Sequence, residues 1–261
     1  MTMGDPAPPV VLTIGGSDPT AGAGVQGDIR TIARLGGYGV CAVTAVTAQD
    51  TAVVRATRTV DAALLAEQLV ALAGDLRLAA VKIGMLGSRA NVAVVADFLA
   101  ARPGLPVVLD PVLAATGGTS LLDEPGRAAL IDRLLPLATL VTPNLPELAL
   151  LSGRPVATQD EVHAAARDLL ALGARAVLVT GGHAIGPEVV DWLHGGNVPR
   201  PFRGPRLAVA VHGTGCALTA AIAVGLAGGR DLVHAIEEAR TDLGQRLAAA
   251  LALGRGQRLL P

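Results

Sequence analysis

Aromatic residues, lysine and cysteine are all scarce in this chain of 261 residues, and each scarcity removes a class of function. Phe, Trp and Tyr together make up 2% of the sequence, so stacking platforms for nucleobases are missing. Lys82 is the only lysine, the arginines are scattered, and the net charge is -1, which leaves no basic face for nucleic acid or an acidic membrane. Neither is expected as a partner. The two cysteines, Cys41 and Cys216, lie far apart and match no metal or disulfide spacing, which fits a reducing, cytoplasmic setting. No G-x-x-x-x-G-K-[ST] run occurs, and a P-loop is thereby excluded. The longest uncharged run, 213–229, is short of a bilayer span and punctuated by glycine, so it reads as a buried helix. The opening Met1–Pro9 carries neither a basic stretch nor an apolar core and reads as a disordered lead-in rather than a secretion signal.

Apolar residues are plentiful, at 51%, and charged ones few, at 16%, so the chain can bury a large core. Val10–Ile14 is a β-branched run of strand length, followed by a glycine-rich loop, 15–24, and then by helical spacing over Val25–Leu35 that stops at Gly36 and Gly37. Tyr38–Thr44 and Val53–Val60 read as strands joined by a turn at Thr47–Thr51, and Asp61–Leu72 as an amphipathic helix with its own N-cap. Strand and helix then alternate: strands Ala79–Ile83, Val107–Leu109, Leu140–Val141 and Ala176–Val179, and helices Arg89–Ala101, Gly126–Leu135 and those starting at Leu145 and Gln159. Val189–Leu193 and Leu207–Val211 read as further strands, and a helix at Cys216 and another over Leu232–Ala250 complete the chain. Such an order predicts one α/β domain over 1–261, with a mostly parallel sheet between two helical layers.

In open α/β sheets the ligand sits beyond the carboxyl ends of the strands, and the unusual residues of this chain gather in those loops. Gly213-Thr214-Gly215-Cys216 leads into the uncharged helix. It reads either as an anion site, with open N–H groups at a helix start, or as a tight turn before a buried helix. A thiol in that first turn is expected to ionise easily. Asp110, Asn144 and Glu147 follow strands and offer oxygen ligands of the kind Mg²⁺ takes, while Asn144 and Glu147 also fit a helix capping box. Gly22-Ala-Gly-Val-Gln-Gly27 matches G-x-G-x-x-G, but seven residues separate it from the strand, which argues against a dinucleotide turn.

Taken in order, Leu12-Thr-Ile-Gly-Gly-Ser-Asp-Pro19, Gly22-Ala-Gly-Val-Gln26, Leu35-Gly-Gly-Tyr-Gly39, Thr44-Ala-Val-Thr-Ala-Gln49, Lys82-Ile-Gly-Met-Leu86, Leu109-Asp-Pro-Val112, Thr142-Pro-Asn-Leu-Pro-Glu147, Gly181-Gly-His183 and His212-Gly-Thr-Gly-Cys216 resemble the hydroxymethylpyrimidine/phosphomethylpyrimidine kinase family of thiamine biosynthesis. The resemblance implies a ribokinase-like fold. It also implies ATP- and Mg²⁺-dependent phosphorylation of 4-amino-5-hydroxymethyl-2-methylpyrimidine and its monophosphate, in a homodimer. By the same resemblance Gln49 contacts the pyrimidine edge, Gly16, Met85 and Val112 wall the ring, and Asp28 is counted with them. Asp110, Asn144, Glu147, Thr180 and His212 go to the nucleotide, the first three also to the metal through water. Gly213, Thr214, Gly215 and Cys216 form the anion hole. The chain departs from the pattern at Thr180, where lysine is usual, at Asp50, at Ala208–Val211 and at its C-terminal Leu253–Leu259. Those departures keep two other readings open: a pyridoxal or pyrimidine salvage kinase of the same fold, and a catalytically weak pyrimidine-binding relative.

Overall fold

The structure, a computed structural model, describes residues 7–114, 118, 120–183 and 186–261, so most of the expected N-terminal lead-in lies outside the described residues. The apolar run at the start forms β1 (Val10–Ser17), the third strand from one edge of a nine-stranded sheet. It pairs in parallel with β2 (Tyr38–Gln49) and β4 (Leu78–Ile83), and parallel pairing continues through β5 (Val107–Leu109), β6 (Leu140–Val141) and β7 (Val177–Val179). Both edges are antiparallel: β3 (Val54–Thr59) folds back on β2, and β8 (Glu188–His194) with β9 (Arg200–Pro205) extends β7.

Successive side chains of a strand face opposite ways, and the core divides accordingly. Leu12 and Ile14 pack beneath α2 (Ala62–Asp75), α3 (Arg89–Ala100), α5 (Leu145–Ser152) and α6 (Gln159–Ala171), while Val11 and Val108 pack beneath α7 (Thr214–Ala227) and α8 (Leu232–Ala248). The result is the expected three-layer αβα arrangement. Helix starts are fixed by side-chain caps: Asp61, Ser88, Asp123, Thr158 and Asp231 each accept an N–H of the first turn. Asp123 begins α4 (Glu124–Ala129), earlier than the spacing suggested. The first helix, α1 (Gly24–Arg34), fills the connection between β1 and β2.

Three boundaries differ from expectation. β1 continues through Gly15 and Gly16 to Ser17, because sheet pairing with β2 persists across a register shift there. β2 runs on to Gln49 and pairs with β3, so the turn tightens to Asp50–Val53, where Asp50 Oδ1 accepts the N–H groups of Ala52 and Val53. The strand expected at Leu207–Val211 is only β10 (Val211–His212), which pairs in parallel with β11 (Arg258–Leu259). The long strand lies upstream at β9, whose Pro201 and Pro205 disguise it; an edge strand tolerates proline because one side of its backbone needs no partner.

Candidate active site

A cleft of about 1250 Å³ opens along the carboxyl ends of the parallel strands. Every site residue singled out from the sequence borders it: Gly16, Asp28, Gln49, Met85, Asp110, Val112, Asn144, Glu147, Thr180, His212 and the turn 213–216. One strand end after another delivers them, as the βα order requires.

At the β1–β2 end, Gly16 lies so close to Met85 that a Cβ there would sit 3.0 Å from the Met85 sulfur, so the glycine gives this thioether its place on the cleft wall. Gln49, at the last position of β2, has one of its two terminal amide atoms 3.0 Å from His212 Nε2. His212 Nε2 is also 2.8 Å from Asp18 Oδ2. Asp18 is only 3% exposed, and its carboxylate further accepts the N–H groups of Thr20 and Ala23 and the Thr20 hydroxyl. Burial pushes the Asp18 pKa up, but the hydrogen bonds from His212 and Thr20 outweigh it and hold the carboxyl below its ordinary value. The His212 ring, expected at the nucleotide, lines the same cleft and is hydrogen-bonded here to Asp18 and Gln49.

The turn before α7 is possible only with glycine. Gly213 has φ 77°, and a Cβ on it would lie 1.9 Å from the carbonyl oxygen of Gly22. No side chain caps α7, so its first N–H groups face the cleft unclaimed by a cap. Gly215 faces Asp110, the distance from its would-be Cβ to Asp110 Oδ2 being 3.8 Å. The ease of ionisation expected for Cys216 is not realised. Burial, together with the carboxylates of Asp110 and Asp28, pushes its pKa up to about 12 against the opposing pull of Lys82 and a backbone hydrogen bond from Gly24. Cys216 is a thiol at neutral pH.

Beneath the turn lies the chain's one lysine. Lys82, 1% exposed at the end of β4, donates to Asp28 Oδ2 at 2.9 Å, and the same oxygen accepts the Thr13 hydroxyl at 2.5 Å. Asp28 has no exposed surface, so it borders the cleft from underneath, and its expected role as a substrate contact is corrected to that of counter-ion for Lys82. Desolvation would lower the lysine pKa, yet the negative charges beside it, that of Asp28 first, outweigh it and raise it. Asp110 and Glu147, 7% and 9% exposed, both have pKa values raised, first by burial; the charge of Asp110 then raises Glu147 further. Asn144 and Glu147 do form a capping box, Asn144 N–H donating to Glu147 Oε2 at 2.9 Å and Glu147 N–H to Asn144 Oδ1 at 3.0 Å. Capping and cleft position coexist, because the box fixes the rotamer of Glu147.

At the β7–β9 end, Thr180 is joined to the Asn144 loop by a backbone bond from its N–H to the Pro143 carbonyl, 2.9 Å. The next residue, Gly181, donates to buried Asp191 Oδ1 at 2.7 Å, and Asp191 is ion-paired with Arg240. Arg206 donates to the carbonyls of Gly182 and Gly186 at 2.8 Å each and to that of Gly181 at 3.2 Å. Lys82, Asp18, Thr47, Arg206 and Arg240 were not foreseen as cleft residues. Lys82, Asp18 and Thr47 lie within the motifs that carry the family resemblance, and Lys82 is also the sole lysine, whereas Arg206 and Arg240 come from positions without a motif.

A model of the phosphomethylpyrimidine kinase family matches residues 18–260. The hydroxymethylpyrimidine/phosphomethylpyrimidine kinase of Rhizobium meliloti is 44% identical over 252 residues, covering 95% of this chain and 94% of that protein. The crystal structure of phosphomethylpyrimidine kinase from Clostridium difficile superposes with a TM-score of 0.81 at 33% identity, covering 91% of this chain and 98% of that one. Pyridoxal kinase from Staphylococcus aureus, solved in complex with AMP-PCP and pyridoxal, gives a TM-score of 0.88 at 29% identity, covering 98% of this chain and 93% of that one. With a family match over nearly its whole length and a relative above 40% identity laid on a ribokinase-like frame, this chain belongs to the phosphomethylpyrimidine kinase family.

Proposed function

We propose that the protein transfers the γ-phosphoryl group of ATP, with Mg²⁺, to 4-amino-5-hydroxymethyl-2-methylpyrimidine and to its monophosphate, yielding the diphosphate for thiamine biosynthesis, and that the whole chain acts as one kinase domain. The observation that carries this reading is the convergence in one cleft of the Gln49 pocket, the Asp110/Glu147 carboxyl pair and an uncapped helix start. Gln49 reads the pyrimidine edge, while Gly16, Met85 and Val112 wall the ring. The N–H groups of the 213–216 turn hold the transferring phosphoryl group, in a reaction that depends on position and charge neutralisation more than on covalent help. A monophosphate acceptor is already an anion at neutral pH and needs no base, which suits a neutral Cys216 thiol. Arg206 supplies positive charge to the Thr180 loop on the nucleotide side.

The donor set fits Mg²⁺. Asp110 and Glu147 are two buried carboxyls whose pKa values are raised first by burial, Asp110 further by Asp28 and Glu147 by Asp110; Lys82 offsets only part of this negative charge, and a divalent cation would neutralise the rest. Among the described residues no group of three or more His, Cys, Asp or Glu forms a cage, and Mg²⁺ ordinarily takes one or two carboxylates and completes its shell with water and phosphate oxygens. When bound, the ion neutralises charge on the phosphates. Asn144 acts at one remove, by holding Glu147.

Release of ADP by the purified protein with ATP, Mg²⁺ and each pyrimidine acceptor tests the reading; background-level ADP with the monophosphate would refute it. Pyridoxal belongs in the same panel, and a higher kcat/KM for it would favour the salvage reading. Two free cysteines accord with action in the cytoplasm. Exposed Val46 and Val53 on the β2–β3 hairpin give an apolar face for a homodimer, for which light scattering at twice the 26.2 kDa chain mass is expected.

A further inference from the structure

The Gln49 side chain is held from both ends, and the two holds agree on which way round its amide sits. At one end, the atom nearest His212 is 3.0 Å from the ring Nε2, which is also 2.8 Å from Asp18 Oδ2. An ionised carboxylate only accepts, so Nε2 carries a hydrogen and has no lone pair; that one hydrogen is shared between Asp18 Oδ2 and the Gln49 atom beside it, which must then be an acceptor, the amide oxygen. At the other end, the second Gln49 amide atom lies 3.3 Å from Thr47 Oγ1, whose single hydrogen goes to the Ser17 carbonyl at 2.9 Å. Only lone pairs remain on that hydroxyl, so the Gln49 atom facing it must be the NH2 group. The bonding pattern thus turns the amide oxygen toward His212 and the nitrogen toward Thr47, opposite to the assignment that sterics alone permit equally well.

We propose that the Asp18–His212 pair and the Ser17–Thr47 pair lock Gln49 in this one orientation and so make the cleft selective for 4-amino- over 4-oxopyrimidines. Each lock consumes one lone pair of the amide oxygen and one hydrogen of the nitrogen. One lone pair and one N–H remain for the ligand, in a fixed order. A ring nitrogen beside an amino group presents an acceptor and a donor, and matches that order when the amino group points to the His212 side. The oxo tautomer presents N–H beside C=O, the reverse order. A freely turning glutamine would match either by flipping, whereas a locked one leaves two polar pairs mismatched in a partly buried site. His212, Asp18 and Thr47 are positioning residues, since they act on the ligand through Gln49.

The identity of the ligand rests on the kinase reading above, so the test measures binding rather than turnover. Calorimetry on the wild-type chain should show 4-amino-5-hydroxymethyl-2-methylpyrimidine binding on the order of a hundredfold or more tighter than its 4-oxo counterpart. His212→Ala and Thr47→Val each free one end of the amide, and each should cut that ratio by about tenfold or more, chiefly by improving relative binding of the oxo compound. A merely structural role would weaken both ligands together, and an unchanged ratio in both variants overturns the proposal. Long-range ¹H–¹⁵N spectra of the wild-type His212 ring supply a second reading: hydrogen on Nε2 is expected, and a ring protonated on Nδ1 alone overturns the lock. A protein that binds the aminopyrimidine selectively yet releases no ADP would refute the kinase reading and leave the lock standing.

Discussion

The two ends of the cleft are built on different principles. At the β1–β2–β4 end, the polar groups are buried and committed to one another: Lys82 to Asp28, Asp28 to Thr13, His212 to Asp18 and Gln49. At the β7–β9 end, arginines at the rim grip backbone carbonyls and carboxylates, Arg206 on the Gly181–Gly186 loop and Arg240 on Asp191. A buried network must be fully satisfied or it costs more than an apolar core, so each member constrains the next. Arg206 instead spreads its guanidinium over several carbonyls, none of which depends on it alone, while the Arg240–Asp191 pair behind it is largely buried.

If that contrast holds, the largest effect should follow removal of Lys82. Lys82→Met leaves Asp28 and Asp110 buried without their cation, and breaking a buried pair from one side costs about 3–5 kcal/mol. Urea unfolding followed by Trp192 fluorescence should register this. The double change Lys82→Met with Asp28→Asn should recover part of the loss, because Asp28 then carries no lone charge and only Asp110 is left without the cation. A single-variant loss below about 1 kcal/mol would show that the pair is no organising element. Next comes Gly213→Ala, whose Cβ would collide with the Gly22 carbonyl at a positive φ. Displacing the N–H groups of the turn should lower kcat roughly 10²–10³-fold, the scale of losing one oxyanion-type donor, with a smaller change in the acceptor's KM.

A third test probes the β8 strand away from the cleft. His194 is 3% exposed and lies 3.4 Å from His163, and burial, then the charges of His163 and Arg167, lower its pKa from 6.5 to about 4. A histidine whose folded pKa is depressed is kept neutral in the fold, so the unfolded chain takes up its proton first as pH falls. Its stabilising contribution is complete above the unfolded value of 6.5 and is lost between there and about 4. The loss amounts to about 2–3 kcal/mol. His194→Gln should flatten the fall in the urea midpoint between pH 7 and pH 4.5, and equal slopes in both proteins would remove His194 as the cause.

Much of this arrangement was legible in the sequence. The βα order and the glycine punctuation predicted the layered fold and the strand ends where ligands gather, because periodicity and turn chemistry are local. The pairings inside the cleft were not, since Asp18 meets His212 and Lys82 meets Asp28 only through the sheet's long-range connections. Cys216 departs from expectation for the same reason: a helix start and Lys82 favour the thiolate, but burial outweighs them and Asp110 and Asp28, distant in sequence, add negative charge. β9 was hidden by its two prolines, which are acceptable only because the strand lies at an edge, a fact of topology and not of spacing.

The smallest effects should come at the arginine end. Thr180 replaces an expected lysine, yet Arg206 already brings a guanidinium to the carbonyls of Gly181, Gly182 and Gly186. Arg206→Ala should raise the KM for ATP about tenfold, the scale of one charge-assisted contact, and leave the pyrimidine KM nearly unchanged. Arg206→Lys should recover only part of this, because an ammonium group cannot span several carbonyls as the guanidinium fork does. Thr180→Lys alone should then improve the ATP KM by less than about threefold, but by more in the Arg206→Ala background, where the two cations no longer duplicate one another. Additive effects would mean that Arg206 only braces the loop; a gain of tenfold or more from Thr180→Lys in the native background would mean that the missing lysine was never replaced, and that this end of the cleft is impaired rather than rebuilt.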